Sequence, residues 1–325
     1  MLLEVRDLKT YFYVNGQELR AVDGVSFALD KGRTLGIVGE SGCGKSVACM
    51  SILKLIDPQA GRIAGGQVLF EGKDLVPLPE KEMTGIRGNQ ISMIFQEPMT
   101  SLNPVFTVGY QLREAIAIHQ QAGRAAAARR SAELLELTRI PDAARVLKNY
   151  PHQLSGGMRQ RVMIAMSLAC SPKLLIADEP TTALDVTIQA QVLELLRDVK
   201  SELGMAVLLI THDLGVIAEM ADDILVMYAG RMVEYAPVLE LFKAPRHPYT
   251  AGLMRSKPNI LHEQEKLSAI PGNVPSLYEM PAGCPFHPRC EQAMEICAER
   301  FPDVSKLGDS QGVACWLHAR EGGAQ

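Results

Sequence analysis

The 325-residue chain has no apolar run close to the ~20 residues that a membrane-spanning helix needs. Its formal net charge of −4 gives no overall basic field, which argues against nucleic acid as a partner. The opening MLLEVRDLKTYF carries charges at once, unlike a secretory signal peptide. Without such a span or signal peptide, we expect the chain to be cytosolic. Low-complexity tracts and internal repeats are also missing, so we expect one copy of whatever unit the chain contains.

Five short apolar runs predict strands that are buried on both faces, as in a parallel sheet. Helical stretches lie between them, which indicates an α/β fold built from βα units. In such a sheet ligands bind at the carboxyl ends of the strands, so we expect the residues that end these runs to converge on one ligand. The runs cover residues 34–39, 91–96, 174–179, 206–212 and 224–230.

The rest of the chain divides into three segments that differ in the pattern of their residues. The first 30 residues alternate apolar and polar side chains around a turn at Asn15-Gly16, which predicts an antiparallel β layer. Residues from about 97 to 170 are predicted to form a helical subdomain inserted in the sheet. After residue 245 proline and turn residues dominate. We therefore expect a domain over 1–245 and a small, loop-rich C-terminal module over 246–325.

The segment GESGCGKS fits G-x-x-x-x-G-K-[ST], the pattern of a phosphate-binding loop. It follows a predicted strand and precedes a predicted helix, which makes a chance glycine-rich turn the weaker interpretation. Backbone N–H groups of such a loop wrap phosphates, and the helix N-terminus adds its dipole. Lys45 is then expected to reach the β- and γ-phosphates, and the Ser46 hydroxyl to ligate Mg²⁺. Cys43 is interpreted as a spacer.

Three later strand ends carry candidate catalytic groups. Asp178 is predicted to hold magnesium through water, and Glu179 to polarise the attacking water. A solvated acidic pair is the other interpretation. His212 is expected to contact the γ-phosphate, although a lone histidine is more often structural. Gln96 suits a contact to the metal or to water.

The segment LSGGMRQR then resembles the signature of the ATP-binding cassette (ABC) family, with Ser155 placed to cap a helix. The resemblance covers most of residues 1–240 and implies Gln96 as the Q-loop, 183–185 as the D-loop and His212 as the switch histidine. Met158 stands where the family most often has glutamine. The ATP-binding residues that the resemblance implies are Gly39, Ser41, Gly42, Cys43, Gly44, Lys45, Ser46, Val47, Ser155, Gly156, Gly157 and Asp185.

The resemblance also implies an adenine-stacking aromatic and a dimer. Phe12 is the favoured aromatic, with Tyr11 and Tyr13 as competitors and a core role in the β layer as the alternative. In this family the signature of one subunit meets ATP held by another. Ser155 is therefore expected to act across the interface, and Lys45, Glu179 and His212 within their own subunit.

Two further segments narrow the branch of the family. QEPMTSLNPVFTVG, which begins at Gln96, and HPYTAGLM (247–254) resemble segments of the D-type ATP-binding subunits of bacterial dipeptide and oligopeptide importers. That branch implies a paralogous ATP-binding partner, two membrane permease subunits and, indirectly, a periplasmic or extracellular peptide-binding protein. It also implies a peripheral position on the cytoplasmic face of the inner membrane. Import of nickel or another small solute stays open, and an exporter ATPase or a soluble repair or translation protein fits less well.

Four of the seven cysteines crowd near the end of the chain: Cys284, Cys290, Cys297 and Cys315. Their gaps are wider than those of common zinc knuckles, and four thiolates suit an iron–sulfur cluster as well as Zn²⁺. Free surface thiols and two disulfides are the other interpretations. The resemblance implies a [4Fe–4S] cluster, which we expect to be structural.

Overall fold

The structure is a computed structural model that describes residues 1–96, 102–182, 184–256, 270–308 and 310–319. Among these residues no helix combines the length and the apolar content that a membrane crossing requires.

The described chain divides into two compact units that interleave along the sequence. The first comprises Met1–Leu2, Leu29–Thr34 and Pro77–Thr211. The second comprises Leu3–Ala28, Leu35–Val76 and the chain from residue 212 onward.

The first unit contains three of the predicted strands as a parallel sheet in the order β8-β7-β6. They are β6 (Ile91–Ile94), β7 (Leu174–Asp178) and β8 (Ala206–Ile210). Every residue of β7 and β8 is buried, which explains why these strands read as continuous apolar runs.

The first unit also holds the predicted helical region, in which α3, α4 and α6 pack on one another. Prediction and structure agree on helix over much of 108–170, whereas residues 97–101 lie outside the described part of the chain. The helices of the first unit as a whole are α2 (Glu80–Thr84), α3 (Val108–Gln120), α4 (Arg124–Leu137), α5 (Ala143–Val146), α6 (Gly156–Ser167) and α7 (Val186–Leu203).

The second unit begins with a four-stranded sheet in the order β2-β1-β4-β5, antiparallel at β1–β4 and β4–β5. Asn15 and Gly16 both have positive φ (52° and 78°), as a two-residue hairpin turn requires, so the predicted turn is confirmed. The strands are β1 (Leu3–Val14), β2 (Gln17–Leu29), β4 (Gly61–Phe70) and β5 (Lys73–Asp74).

The other five strands of this unit pair in the order β11-β12-β10-β9-β3, with both parallel and antiparallel pairing. Only β3 and β9 are parallel, and the two strands nearest the C-terminus add to the edge at β10. The sequence did not predict those two strands, because three residues are too few for a periodic signal. The strands are β3 (Thr34–Val38), β9 (Asp223–Tyr228), β10 (Arg231–Pro237), β11 (Ser305–Leu307) and β12 (Gln311–Val313).

The helices of the second unit are α1 (Lys45–Ile52), α8 (Leu214–Met220), α9 (Val238–Lys243), α10 (Pro248–Arg255) and α11 (Glu295–Glu299). His247 caps α10, accepting at Nδ1 from the Tyr249 N–H at 3.0 Å. Burial lowers the pKa of His247 to about 3, so the imidazole is neutral at physiological pH and can act as this acceptor.

A buried carboxylate ties α10 and β12 to β10. Glu234 is fully buried on β10, and its two oxygens accept from the backbone N–H groups of Arg246 and His247, each at 2.8 Å. The side-chain amide of Gln311 donates to it at 3.3 Å. These donors satisfy a charge that would be costly to bury alone.

We predict that Glu234→Ala lowers the free energy of unfolding by about 3 kcal/mol, because two buried donors and one part-buried donor lose their acceptor, at ~1–3 kcal/mol for each buried donor. Glu234→Gln keeps one carbonyl acceptor and should fall between this variant and the wild type. Urea denaturation checks the order, with the exposed Glu240→Ala on α9 as the control. Equal stability of Glu234→Ala and the control would contradict the assignment.

Candidate functional site

The predicted phosphate loop runs from Gly39 to Ser46 between β3 and α1. Gly39, Gly42 and Gly44 all have positive φ, from 79° to 155°. A Cβ on Gly39 would lie 2.2 Å from the Met227 carbonyl oxygen, and one on Gly44 would lie 2.3 Å from that of Ala21. The loop is thus closely packed on β9 and β2, and no side chain fits at either glycine.

The positive charge of the loop comes from Lys45, which is buried. Its ammonium donates to the carbonyls of Gly39 at 2.8 Å and Glu40 at 3.0 Å, so it lies over the hollow of its own loop. Together with the N-terminus of α1, which begins at Lys45, this arrangement attracts an anion. Ser46 and Val47 follow within the first turn of that helix.

Cys43 has a structural position in the loop. Its carbonyl accepts from the Gly230 N–H at 3.0 Å. Burial raises the pKa of its thiol, although the nearby Lys45 opposes that shift. The thiol is therefore neutral at physiological pH, which agrees with its interpretation as a spacer.

At the end of β7 the structure brings together two residues that are 83 positions apart in sequence. The Gln96 side-chain amide donates to a Glu179 carboxylate oxygen at 3.0 Å. Thr182, which sequence reasoning missed, donates its hydroxyl to the same oxygen at 2.8 Å. Asp178, the last residue of β7, is buried.

Glu179 also has an unusual backbone, with φ at 47° in the left-handed region. Its N–H donates to the Ile210 carbonyl at 2.9 Å, so the strained residue is fixed at the end of β8. Non-glycine residues in this region are uncommon and occur often at functional sites. The residue with this backbone conformation carries the carboxylate that Gln96 contacts.

The signature residues lie at an exposed helix start. Ser155 caps α6, and its hydroxyl accepts from the Met158 N–H at 3.3 Å. A Cβ on Gly157 would approach Ile188 to 3.1 Å, so this glycine permits close packing of α6 on α7. Ser155 and Gly156 are exposed.

Two further predicted residues lie at helix starts. Asp185 caps α7 and accepts from the Ile188 N–H at 2.9 Å. Ala183 of the predicted D-loop is outside the described residues. His212 is exposed and immediately precedes Asp213, the cap of α8. His212 belongs to the second unit, as the phosphate loop does, whereas Gln96, Asp178 and Glu179 belong to the first.

The three candidate aromatics on β1 differ in their surroundings. The Tyr11 hydroxyl donates to Asp23 at 2.8 Å, and burial together with this carboxylate raises its pKa to about 12. The Arg62 guanidinium lies 5.3 Å from the centre of the Tyr13 ring. Phe12 is half-buried beside Gly61 and, because side chains alternate along a strand, faces the side of β1 opposite to Tyr11 and Tyr13. Its stacking on adenine stays a prediction.

The C-terminal cysteines do not form the expected metal-binding group. Within the described ranges no three or more histidine, cysteine or acidic side chains are placed to hold a metal ion. The four cysteines are free thiols that line one cavity of about 20 Å³, room for roughly one water molecule. Burial raises the pKa of Cys284 to about 11, and its neighbouring thiols add to the shift. The four thiols form no disulfides. Three of them are buried, and only Cys290 is partly exposed at the surface.

Family models match two parts of the chain. Residues 22–182 match the ABC transporter model, and residues 233–297 match the model described as the oligopeptide/dipeptide transporter C-terminal region. The second match contains His247–Tyr249 and ends at Cys297.

Relatives are similar over nearly the whole chain. A probable peptide ABC transporter ATP-binding protein of Sinorhizobium fredii is 55% identical over 97% of this chain and 95% of its own length. The oligopeptide transport ATP-binding protein AppD of Bacillus subtilis is 51% identical over 100% of this chain and 99% of its own. The dipeptide transport ATP-binding protein DppD of the same organism is 51% identical over 97% and 94%.

Solved structures of an ABC transporter cassette share the fold of this chain. The dimeric structure of a bacterial ABC transporter cassette superposes with a TM-score of 0.66 at 26% identity, over 73% of this chain and 99% of that one. A second structure of that cassette is a post-hydrolysis dimer with ADP and phosphate bound, and it matches equally well.

The left-handed backbone of Glu179 leads to a prediction about the free energy of unfolding. Glu179→Gly should be more stable than Glu179→Ala by about 1 kcal/mol, because only glycine adopts this φ without strain. At the exposed position Ala190 within α7 the order should reverse, with Ala190→Gly losing about 1 kcal/mol. Urea denaturation of the variants checks both. Alanine being the more stable residue at both positions would show that the backbone of Glu179 is not strained.

Proposed function

Since the chain belongs to the ABC transporter family and carries the C-terminal region of oligopeptide and dipeptide transporters, we propose that it is the ATP-hydrolysing subunit of a bacterial peptide importer. The observation that supports this most directly is the pairing of both matches in one chain, together with about 50% identity over nearly its full length to peptide-transport ATP-binding proteins. An importer of nickel or another small solute is the less favoured alternative.

The ATP phosphates are assigned to the loop from Gly39 to Ser46. The loop fits a polyphosphate, because Gly39 and Gly44 leave no room for side chains and Lys45 lies over its hollow. The ligands proposed for Mg²⁺ are Ser46, Gln96 and Asp178. The bound ion supplies charge neutralisation at the β- and γ-phosphates.

Glu179 is proposed as the general base that takes a proton from the attacking water. The hydrogen bonds from Gln96 and Thr182 orient its carboxylate at the end of β7. His212 is proposed to contact the γ-phosphate and Phe12 to stack on the adenine. Because Glu179 is hydrogen-bonded to Gln96, a change at the Q-loop would move the base itself.

A dimer is proposed to complete each ATP site. Ser155, Gly156 and Gly157 would present the exposed N-terminus of α6 to ATP held by the partner, with Asp185 nearby in the interface. The dimeric cassette structures support this arrangement. We propose a paralogous ATP-binding subunit as the partner and two membrane permease subunits on which the pair acts, with a peptide-binding protein outside the membrane. The protein would then lie peripherally on the cytoplasmic face of the inner membrane.

Residues 1–245 are proposed as the nucleotide-binding domain, with the helical subdomain at about 97–170. Residues 246–325 are proposed as the extension typical of this branch. The helical subdomain is the part that we expect to contact the permease subunits.

The four cysteines are proposed to bind a [4Fe–4S] cluster, with Zn²⁺ as the alternative. The support is that Cys284, Cys290, Cys297 and Cys315 line the same cavity and offer only thiol ligands. Either group would supply structural cross-linking of the C-terminal region.

The role of Glu179 gives the central test of the proposed function. Glu179→Gln removes the base but keeps the shape of the side chain, so the assembled complex should bind ATP and lose hydrolysis by about 100-fold or more. Steady-state phosphate release checks this, with the exposed Glu202→Gln on α7 as the control. Undiminished hydrolysis by Glu179→Gln would overturn the assignment of the base.

The cysteine proposal is tested by metal analysis of protein that is purified without air. We expect about four irons and four sulfides per chain and broad absorption in the visible range. Stoichiometric zinc without iron would favour the alternative. Protein free of both metals, with unchanged stability in a quadruple Cys→Ser variant, would contradict metal binding altogether.

A further inference from the structure

In the described part of the chain, the C-terminal region makes hydrogen bonds to the phosphate loop at Glu40. Its backbone N–H donates to the Tyr249 hydroxyl of α10 at 2.8 Å. Its carboxylate accepts two hydrogen bonds from the Arg289 guanidinium, at 2.6 Å from Nη1 and 3.0 Å from Nη2. Both the backbone and the side chain of Glu40 are thus fixed by residues more than 200 positions later in the sequence.

Arg289 is itself held rigidly. Its side chain is only 6% exposed, and its Nε donates to the Pro271 carbonyl at 2.9 Å. Nη1 also donates to the Tyr228 hydroxyl at 3.2 Å, at the end of β9. The guanidinium lies about 6 Å from the ring centres of Tyr228 and Phe286. A two-pronged arginine–carboxylate pair in such a setting fixes orientation as well as charge.

Tyr249 is equally well fixed. It is fully buried, with ring centres 4.6 Å from Tyr228 and 5.3 Å from Phe286. Burial raises the pKa of its hydroxyl, which therefore stays protonated and neutral beside the loop. The aromatic cluster of Tyr228, Tyr249 and Phe286 joins β9, α10 and the cysteine-rich segment within one unit.

The charge of Glu40 is the feature that requires an explanation. A carboxylate in a loop that binds a polyphosphate repels its ligand unless a cation compensates it. Lys45 lies over the hollow of the loop, where the ligand itself needs it. Arg289 pairs with Glu40 from outside the loop and so leaves Lys45 for the nucleotide.

We infer that Arg289 and Tyr249 are positioning residues for ATP binding, which act on the phosphate loop through Glu40. Arg289 neutralises and orients the Glu40 carboxylate, and Tyr249 fixes the Glu40 N–H. The C-terminal region is thereby part of the nucleotide-binding machinery rather than an appendage. This inference rests on the proposed function, because it concerns the affinity of the same loop for ATP.

The test is ATP affinity of the full chain, measured by titration with a fluorescent ATP analogue. Arg289→Ala should raise the Kd for ATP about five- to tenfold, as expected for an uncompensated charge near the phosphates at moderate salt. The double variant Arg289→Ala/Glu40→Gln should return the Kd to within about twofold of the wild type. Added salt should shrink the effect of Arg289→Ala, because screening weakens the repulsion.

Two further variants separate positioning from a general loss of structure. Arg300→Ala removes another guanidinium of the same region, one that lies 5.3 Å from the centre of the Trp316 ring, and should leave the Kd unchanged. Tyr249→Phe deletes only the hydroxyl and should raise the Kd about twofold to fivefold, because the hydrogen bond from the Glu40 N–H is lost. Should Arg289→Ala fail to fold, Arg289→Lys keeps the charge without the two-pronged geometry and should give a smaller rise in Kd.

An unchanged Kd in folded Arg289→Ala would overturn the inference, as would a double variant that binds no better than the single one. An equal effect of Arg300→Ala would also overturn it, because the loss would then reflect the region as a whole. A wild-type chain that does not bind ATP would instead refute the proposed function, so the two failures are distinguishable.

Discussion

The close packing of the phosphate loop constrains much of the second unit. Gly39 and Gly44 lie so near the backbone at Met227 and Ala21 that a single added carbon would collide with a carbonyl oxygen. The loop therefore depends on β2 and β9 for its shape, and its N–H groups are fixed before any ligand arrives. Such preorganisation lets a loop bind phosphate without a large cost in conformational entropy.

The backbone of Glu179 at the end of β7 is also held in a fixed conformation. Glu179 has a backbone conformation that glycine would adopt more easily, yet it carries the carboxylate that Gln96 and Thr182 contact. A strained residue persists where its neighbours hold it, and here the N–H bond to the Ile210 carbonyl does so. The strain is thus consistent with a residue that is placed for chemistry rather than for stability.

Polar contacts in buried surroundings bind the C-terminal region to the rest of the second unit. Glu234 joins β10 to α10 and β12, and Arg289 joins the cysteine-rich segment to Glu40. The expected metal-binding group was not found in the described residues, and the four thiols instead surround a small cavity. The region is therefore connected to the phosphate loop by its arginine and tyrosine, whatever its cysteines bind.

The sequence by itself determined the five buried strands, the Asn15-Gly16 turn, the phosphate loop and the family, because each of these depends on local pattern or on short motifs. It also indicated Gln96 and Glu179 as candidates, since both end buried apolar runs. Only the tertiary structure decided that Gln96 bonds to Glu179 and that Thr182 shares that carboxylate. It alone placed Tyr249 and Arg289 on Glu40. Those contacts join residues that are remote in sequence or carry no periodic signal, so their geometry depends on how strands and helices pack.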